Sequence, residues 1–311
     1  MKVVAASGLA ARAVRAAALR PATPVASALP LLARDCLSRL ARQHRQAIAG
    51  DADAVHEMRI ALRQLRVLLR TFEGAIGGSQ SRALCAESKW VSDELGLVRD
   101  LDVFLEALDR DGNGGNGARA ERRRLARVRR QLQGRLVTAL RSPRYSQFLQ
   151  DTRAAISGAR LKGTALKSSA VNADRIDCFA ARVLERRRRK FVRAARRIAR
   201  LNAVQRHALR IRGRKLRYAM EFFGIAYPGQ KRRQRLRRAI GALRRLQISL
   251  GELNDRVQQL ALRDRYVTQG AAALFNDTAA PASGTGKRTQ RLLRAALGAI
   301  EKFEAVRPFW A

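Results

Sequence analysis

His56, Arg59, Arg63, Arg66 and Arg70 are separated by 3, 4, 3 and 4 positions, a spacing that sets all five on one stripe of an α-helix. At about 1.5 Å of rise per residue the stripe is ~21 Å long. An imidazole followed by four guanidiniums is chemistry for oxyanions, because the planar forked donors match phosphate oxygens two at a time. Like charges aligned in this way repel one another, and a bound anion relieves that cost.

The same signature returns 151 positions later: HEMRIALRQLRVLLRTF from His56 becomes HALRIRGRKLRYAMEFF from His207, with seven of seventeen positions identical. His207, Arg210, Arg214 and Arg217 repeat the stripe, and Lys215 with Arg212 widens it on a neighbouring face. The second copy departs at Glu221, which stands where the first has Arg70, and at Gly213 inside the helix. Each copy is followed by a related signature, Leu95-Gly96 with Arg99-Asp100 and Leu250-Gly251 with Asn254-Asp255. The chain therefore reads as two similar halves.

A helical wheel separates this seam from an ordinary solvated face. Val55, Met58, Leu62, Leu65, Leu69 and Phe72 fall on one side of it and Ile60 and Val67 on the other, with Ala61 and Leu68 behind. Glu57, Gln64 and Thr71 form a separate strip, the expected outer face. The basic seam is then expected to line a water-filled groove, since unpaired buried arginine is too costly. Neither histidine has a second ligand at i+4 and no HExxH occurs, so the imidazoles are read as hydrogen-bonding groups, with no metal and no cofactor.

The elements that must position these residues are helices. Apolar residues recur at three and four from about Leu29 onward, and the expected class is all-α, with helices at 28–49, 53–75, 80–110, 118–140, 174–202, 204–225, 230–265 and 287–305. Gly50-Asp51-Ala52-Asp53 offers N-cap carboxylates, Asp111 to Gly117 a glycine-rich loop, and Tyr227-Pro228-Gly229 a turn. Residues 1–27 read as a mobile basic arm, 28–141 as a first bundle, 142–172 as a connection without long periodicity and 173–308 as a second bundle.

Charge bounds the function. The 311 residues hold 55 Arg and 9 Lys against 25 acids, a net charge of +39, which repels itself strongly unless a polyanion screens it. Residues 1–155 carry net +12 and 156–311 net +27, while 182–245 alone hold 24 basic groups against Glu185 and Glu221. With 47% hydrophobic residues the chain has material for a core. Arginine interrupts every apolar run, so no transmembrane helix is expected. Cys36, Cys85 and Cys178 lack metal, redox or disulfide spacing and read as small buried hydrophobes in a reducing cytoplasm.

His-x-x-Arg-x-x-x-Arg-x-x-Arg at 56–66 and again at 207–217, with LGLVRDLDV at 95–103 and LGELND at 250–255, resembles the CHAD family, the conserved histidine α-helical domain. The likeness covers about residues 28–308. It implies two four-helix bundles related by a pseudo-twofold axis, a basic central cavity that binds inorganic polyphosphate, and association with cytoplasmic polyphosphate granules. Carried over position by position, His56, Arg59, Arg63, Arg66, His207, Arg210, Arg214, Lys215 and Arg217 resemble the anion-lining set, which Arg70 extends along its stripe. Arg99-Asp100 and Asn254-Asp255 resemble supporting positions. The E-x-E-x-K stretch of relatives with an added hydrolytic domain is missing from this sequence.

The expected function is non-enzymatic binding of polyphosphate, with nucleic acid as the alternative or secondary ligand that net charge alone would allow. Aromatics are only 5%, too few for base-stacking platforms. Asp93, Glu94, Asp100 and Asp102 cluster on one helix, where salt bridges to the surplus arginine are the expected role. No Walker loop accompanies them. Oligomeric state is not legible.

Overall fold

The computed structural model describes residues 19–110, 116–165, 174–263 and 286–311. Ten α-helices run through them: α1 Val25–Ile48, α2 Ala52–Thr71, α3 Glu73–Ile76, α4 Gly78–Arg110, α5 Asn116–Arg141, α6 Pro143–Ala165, α7 Ile176–Ala195, α8 Ala203–Phe223, α9 Gln230–Arg263 and α10 Lys287–Glu304. Short 3-10 turns at Ile198–Arg200 and Gly224–Ala226 complete the set. Among the described residues there is no β-strand, and the class is all-α as the periodicity required.

Capping explains why the two stripe helices begin where they do. Asp51 accepts from Ala54 N at 2.7 Å to start α2, the carboxylate offered by the Gly50–Asp53 break. Asn202 and Gln205 form a reciprocal capping box at the start of α8.

The chain divides into two compact units. One comprises Ala33–Ala159 with Gln259–Ala280, the other Met1–Leu32, Arg160–Gln258 and Pro281–Ala311. In the first unit α2 packs along α4, and α4 along α5. Its core is built from Met58, Leu62, Leu65, Leu69 and Phe72 with Val91, Leu95, Val98, Leu132 and Leu136, all buried. In the second unit α7 packs on α8, and edge-on aromatic pairs Phe179–Phe223 and Phe191–Phe303 lie at 6.1 and 5.3 Å. Gly213 makes that packing close: a Cβ there would stand 3.2 Å from the Phe191 ring, so the glycine that interrupts the second motif is a contact point between helices.

Several expectations need correction. The segment expected to connect the halves contains α6, a helix over Pro143–Ala165; its Tyr145 and Phe148 are buried, and Tyr145 stacks on His44 at 5.5 Å. Burial raises the Tyr145 hydroxyl to about 12, while His44 Nε2 meets Leu140 O at 3.1 Å. The two rings begin a buried row that continues through Thr152, Ala155 and Ile156. The basic arm is also shorter than expected, since Leu19 is 2% exposed and Pro24 forms an isolated bridge with Arg175. Val25 N donates to Asp174 O at 3.0 Å, so residues 19–27 are built in, while 1–18 lie outside the described residues. The helix expected over 174–202 ends at Ala195, where the chain tightens into a 3-10 turn that buries Ile198. The helix expected over 53–75 breaks at Phe72 into α2 and α3. Cys36 and Cys85 are buried as expected, but Cys178 is exposed, on the first turn of α7. No helix among the described residues is long and apolar enough to cross a membrane.

Candidate functional site

On α2 the stripe is neither an outer face nor a core face. His56, Arg59, Arg63 and Arg66 are half-buried and Arg70 is exposed, while the apolar positions on the first flank are buried and so is Val67 on the second. Arg59 Nη1 donates to Asp100 Oδ1 at 3.0 Å and approaches Gly96 O at 3.5 Å. Arg66 Nη2 donates to Ser92 Oγ at 3.3 Å. The stripe thus runs along the border between α2 and α4.

The strip expected to face outward does so only in part: Glu57 and Thr71 are half-exposed and Gln64 is not. Gln64 is buried and its Oε1 accepts from Arg39 Nη2 of α1, which also reaches Glu57 at 3.9 Å and Asp35 at 3.1 Å. One arginine of α1 thus reaches both Gln64 and Glu57 of the strip, which is how a polar residue of α2 comes to be buried.

The second stripe repeats these contacts within its own unit. His207, Arg210, Arg214 and Arg217 are half-buried and Lys215 is exposed. Arg210 Nε donates to Gln247 O at 3.3 Å, and Arg217 Nε to Gln247 Oε1 at 3.2 Å. Ser92 and Gln247 stand four residues before Gly96 and Gly251 respectively, so corresponding positions of α4 and α9 hold corresponding arginines of α2 and α8. Sequence reasoning missed Ser92 and Gln247; their signal was position, one turn before each repeated glycine.

The repeated Leu-Gly pair has a physical role. A Cβ at Gly96 would meet Arg59 Nη2 at 3.4 Å, and one at Gly251 would meet Arg210 Nη2 at 3.2 Å. Each glycine clears the space in which the first guanidinium of a stripe lies flat on the neighbouring helix, and the adjacent Leu95 and Leu250 are buried. Among the described residues Arg59 Nε and Gln247 Nε2 are buried without a hydrogen-bond partner.

Electrostatics around the stripe follow from crowding. The His56 imidazole is pushed below its ordinary value by burial first, then by Arg99, Arg63 and Arg59, against an opposing pull from Glu57. Burial likewise lowers Arg66. Arg187, which belongs by sequence to the basic run Arg186–Lys190, is half-buried and donates to Lys215 O at 3.1 Å. Burial, with Arg186 beside it, brings its guanidinium down to about 10.

At Glu221 the second stripe ends differently from the first. Its Oε1 accepts from Arg217 Nη1 at 2.6 Å and lies 3.5 Å from Arg244 Nη2 of α9. The carboxylate couples a stripe arginine to one on the next helix.

The four clustered acids of α4 are each engaged by a different cation: Asp93 by Lys89 at 2.6 Å, Glu94 by a two-pronged Arg135 at 2.7 Å, Asp100 by Arg59 and Asp102 by Arg129, both at 3.0 Å. Arg99 pairs with Glu106 at 3.1 Å. The Asn254 and Asp255 side chains lie outside the described residues. Among the described residues no group of three or more His, Cys, Asp or Glu converges as a metal site would require.

Comparison with known proteins adds the following. A family model for the CHAD domain matches residues 31–264. The described fold is similar to the crystal structure of the CHAD domain from the plant Ricinus communis, with a TM-score of 0.68, 24% identity, and 93% of this chain and 94% of that one covered. It is also similar to PptA from Streptomyces chartreusis, with a TM-score of 0.52 and 19% identity over 92% and 97% of the two chains. At these identities both likenesses speak to fold alone. An uncharacterized protein of Mycobacterium tuberculosis, Rv2226, is 33% identical over 123 residues, which span 36% of this chain and 23% of that protein.

Proposed function

The chain belongs to the CHAD domain family, and on that premise we propose that it binds inorganic polyphosphate non-enzymatically along its two basic stripes, in the cytoplasm and at polyphosphate granules. The supporting observation is the recurrence, in each unit, of a half-buried row of guanidiniums with its first member laid over a glycine and its third held by a polar side chain one turn earlier. Such a row is held open by its own helices. Preorganised forked donors bind phosphate oxygens with little ordering cost and release the counterions condensed on the chain.

His56 and His207 head the two rows and supply a hydrogen bond to a phosphate oxygen. Arg63 and Arg214 sit mid-row, with Arg59, Arg66, Arg70, Arg210, Lys215 and Arg217 around them. The pairing of Asp93, Glu94, Asp100 and Asp102 with cations supports a stabilising role for those carboxylates, and the proposal includes no catalytic step. Nucleic acid enters as a secondary ligand of the exposed basic surface.

A competition titration tests this reading. Labelled long-chain polyphosphate bound to the purified protein at roughly physiological ionic strength is challenged with unlabelled polyphosphate and with double-stranded DNA at matched phosphate concentration. Displacement by polyphosphate alone is the expected result; equal displacement by DNA overturns the preference. Charge reversal at Arg63 and Arg214 together is expected to abolish binding with helix content intact, whereas reversal at the exposed Arg123 and Arg127 of α5 leaves it unchanged.

A further inference from the structure

The repeat predicts a shared stripe, and α9 carries a basic feature that the repeat does not predict. Between Glu221 and Glu252 there is no acid, while Lys231, Arg232, Arg233, Arg235, Arg237, Arg238, Arg244 and Arg245 occur. The corresponding stretch of the first copy, 76–90, holds Arg82, Lys89 and Glu87. Both of its cations face carboxylates there, Arg82 with Glu73 at 3.6 Å and Lys89 with Asp93 at 2.6 Å. Exposed helix faces normally mix the two signs, because like charges one turn apart repel each other. The first copy follows that pattern and the second does not.

Burial orients the helix. Leu236, Ala239, Ile240, Leu243, Leu246 and Leu250 are buried. On the opposite face, helical periodicity sets Arg233, Arg237 and Arg244 in one row and Lys231, Arg238 and Arg245 in another, all six exposed. Gln234, Gly241 and Ile248 lie between the rows, and Ile248 is 62% exposed. Gly241 lowers the floor of this trough, and the nearest group a Cβ there would meet is Arg245 Nη1 at 3.8 Å. From Lys231 to Arg245 the trough is ~21 Å long.

A trough flanked by guanidiniums on both sides fits a thin, unbranched polyanion lying along the helix. No aromatic residue occurs between 230 and 263, so the trough offers no ring platform for bases, and its forked guanidiniums suit the oxygens of a phosphate chain. The trough also joins the stripe within the same unit, because Glu221 is shared by Arg217 of the stripe and Arg244 of the trough.

Resting on the polyphosphate reading above, we infer that the outer face of α9 is a second polyphosphate subsite, which takes the continuation of a chain held on the α8 stripe. Short phosphates occupy the stripe alone. Long chains engage both.

Three full-length proteins decide it: the unaltered chain, a trough variant with Arg237→Gln, Arg238→Gln and Arg245→Gln, and a stripe variant with Arg63→Glu and Arg214→Glu. Each is titrated with long-chain polyphosphate, tripolyphosphate and double-stranded DNA over a range of salt, with helix content followed by circular dichroism. The trough variant is expected to bind tripolyphosphate unchanged and to lose about tenfold in affinity for long chains. Its slope of log K against log salt should become shallower by roughly 2, for three lost phosphate contacts. The stripe variant is expected to lose both phosphates. Unchanged affinity and slope for long chains in a folded trough variant overturn the subsite. Loss of DNA binding alone also overturns it, and assigns the face to nucleic acid. If the unaltered chain binds neither phosphate, the polyphosphate reading itself fails, a result separate from failure of the trough.

Discussion

Replacing Glu221 by Gln should make the protein bind polyphosphate more tightly and more salt-dependently. The Glu221 carboxylate accepts from Arg217 at 2.6 Å and lies 3.5 Å from Arg244, so it engages two guanidiniums that the proposed ligand would otherwise meet. Arg217 and Glu221 are only 15% and 20% exposed, and water screens their pairing incompletely. Glutamine keeps the shape and one acceptor while removing the charge. Two cations then become available, and at about 0.7 counterion per single-strand phosphate contact the slope of log K against log salt should steepen by roughly 1.4. Over one decade of salt this amounts to a gain of roughly 25-fold at the low end relative to the high end. The folded state should lose about 1 kcal/mol, the worth of a hydrogen bond to a charged group partly replaced by the amide. Fluorescence titrations at four salt concentrations measure the slope, and urea unfolding measures the stability. Arginine at 221, which copies Arg70 of the first stripe, should steepen the slope further. An unchanged or shallower slope in a folded Glu221→Gln protein refutes the reasoning, because it would mean that neither Arg217 nor Arg244 meets the ligand.

Other expectations follow from the same contacts. Arg129→Ala removes the 3.0 Å pair with Asp102, which is 8% exposed, and the 2.8 Å hydrogen bond to Gly50 O; leaving that carboxylate buried alone should cost about 3 kcal/mol in urea unfolding, with partial recovery when Asp102→Asn is added. His56 sits below its ordinary value of 6.5 when folded, so the unfolded chain takes up a proton first. The free protein should therefore lose stability as pH falls through about 6.5, and His56→Gln should flatten that part of the pH–stability curve. A bound polyanion favours the imidazolium, so polyphosphate affinity should rise as pH falls over the same range, read by titration at several pH values. Gly251→Ala places a methyl 3.2 Å from Arg210 Nη2 and should weaken binding severalfold with little loss of helix, whereas Ala at the exposed Gly134 of α5, with nothing within 4 Å, should leave binding unchanged.

The parts of the molecule legible in the sequence are those governed by periodicity. The 3-4 spacing of apolar residues gives the helices, and the His-Arg spacing gives the stripes. Where a single long-range contact decides, the pattern misleads. Gln64 lies on a polar strip and reads as solvent-facing, yet Arg39, 25 positions earlier, covers it; nothing local to α2 announces an arginine arriving from another helix. Residues 19–27 look like part of a featureless Ala/Arg arm, and what fixes them is backbone pairing with Asp174, Arg175 and Ile176, about 150 positions away. The buried row of α6, Tyr145, Phe148, Thr152, Ala155 and Ile156, keeps helical spacing but mixes two rings with a hydroxyl and a methyl, so its hydrophobic period is weak in the sequence. Ser92 and Gln247 differ in type, so identity between the copies hides them, although they do the same work one turn before Gly96 and Gly251.

The sequence repeat offers a way to separate what is shared from what is added. A feature present in both copies, such as a guanidinium laid over the glycine of the Leu-Gly pair, answers a requirement that both copies meet. A feature present in one copy answers something else. Gly213 is explained by packing, since Phe191 needs the space. Glu221 and the acid-free run from Lys231 to Arg245 have no such explanation, and they are adjacent: the carboxylate that ends the second stripe is the one that reaches Arg244. Compositional drift would place arginine on both copies alike, yet the stretch of the first copy that corresponds to 231–245 holds only Arg82 and Lys89, with Glu87. In the second copy no acid interrupts the positive charge within 222–251, and six of its cations form two rows on the outer side of α9, beside the one stripe that ends in an acid. That arrangement makes Glu221 a junction between two basic tracks, and its substitution the change that should most directly alter how a long polyanion is held.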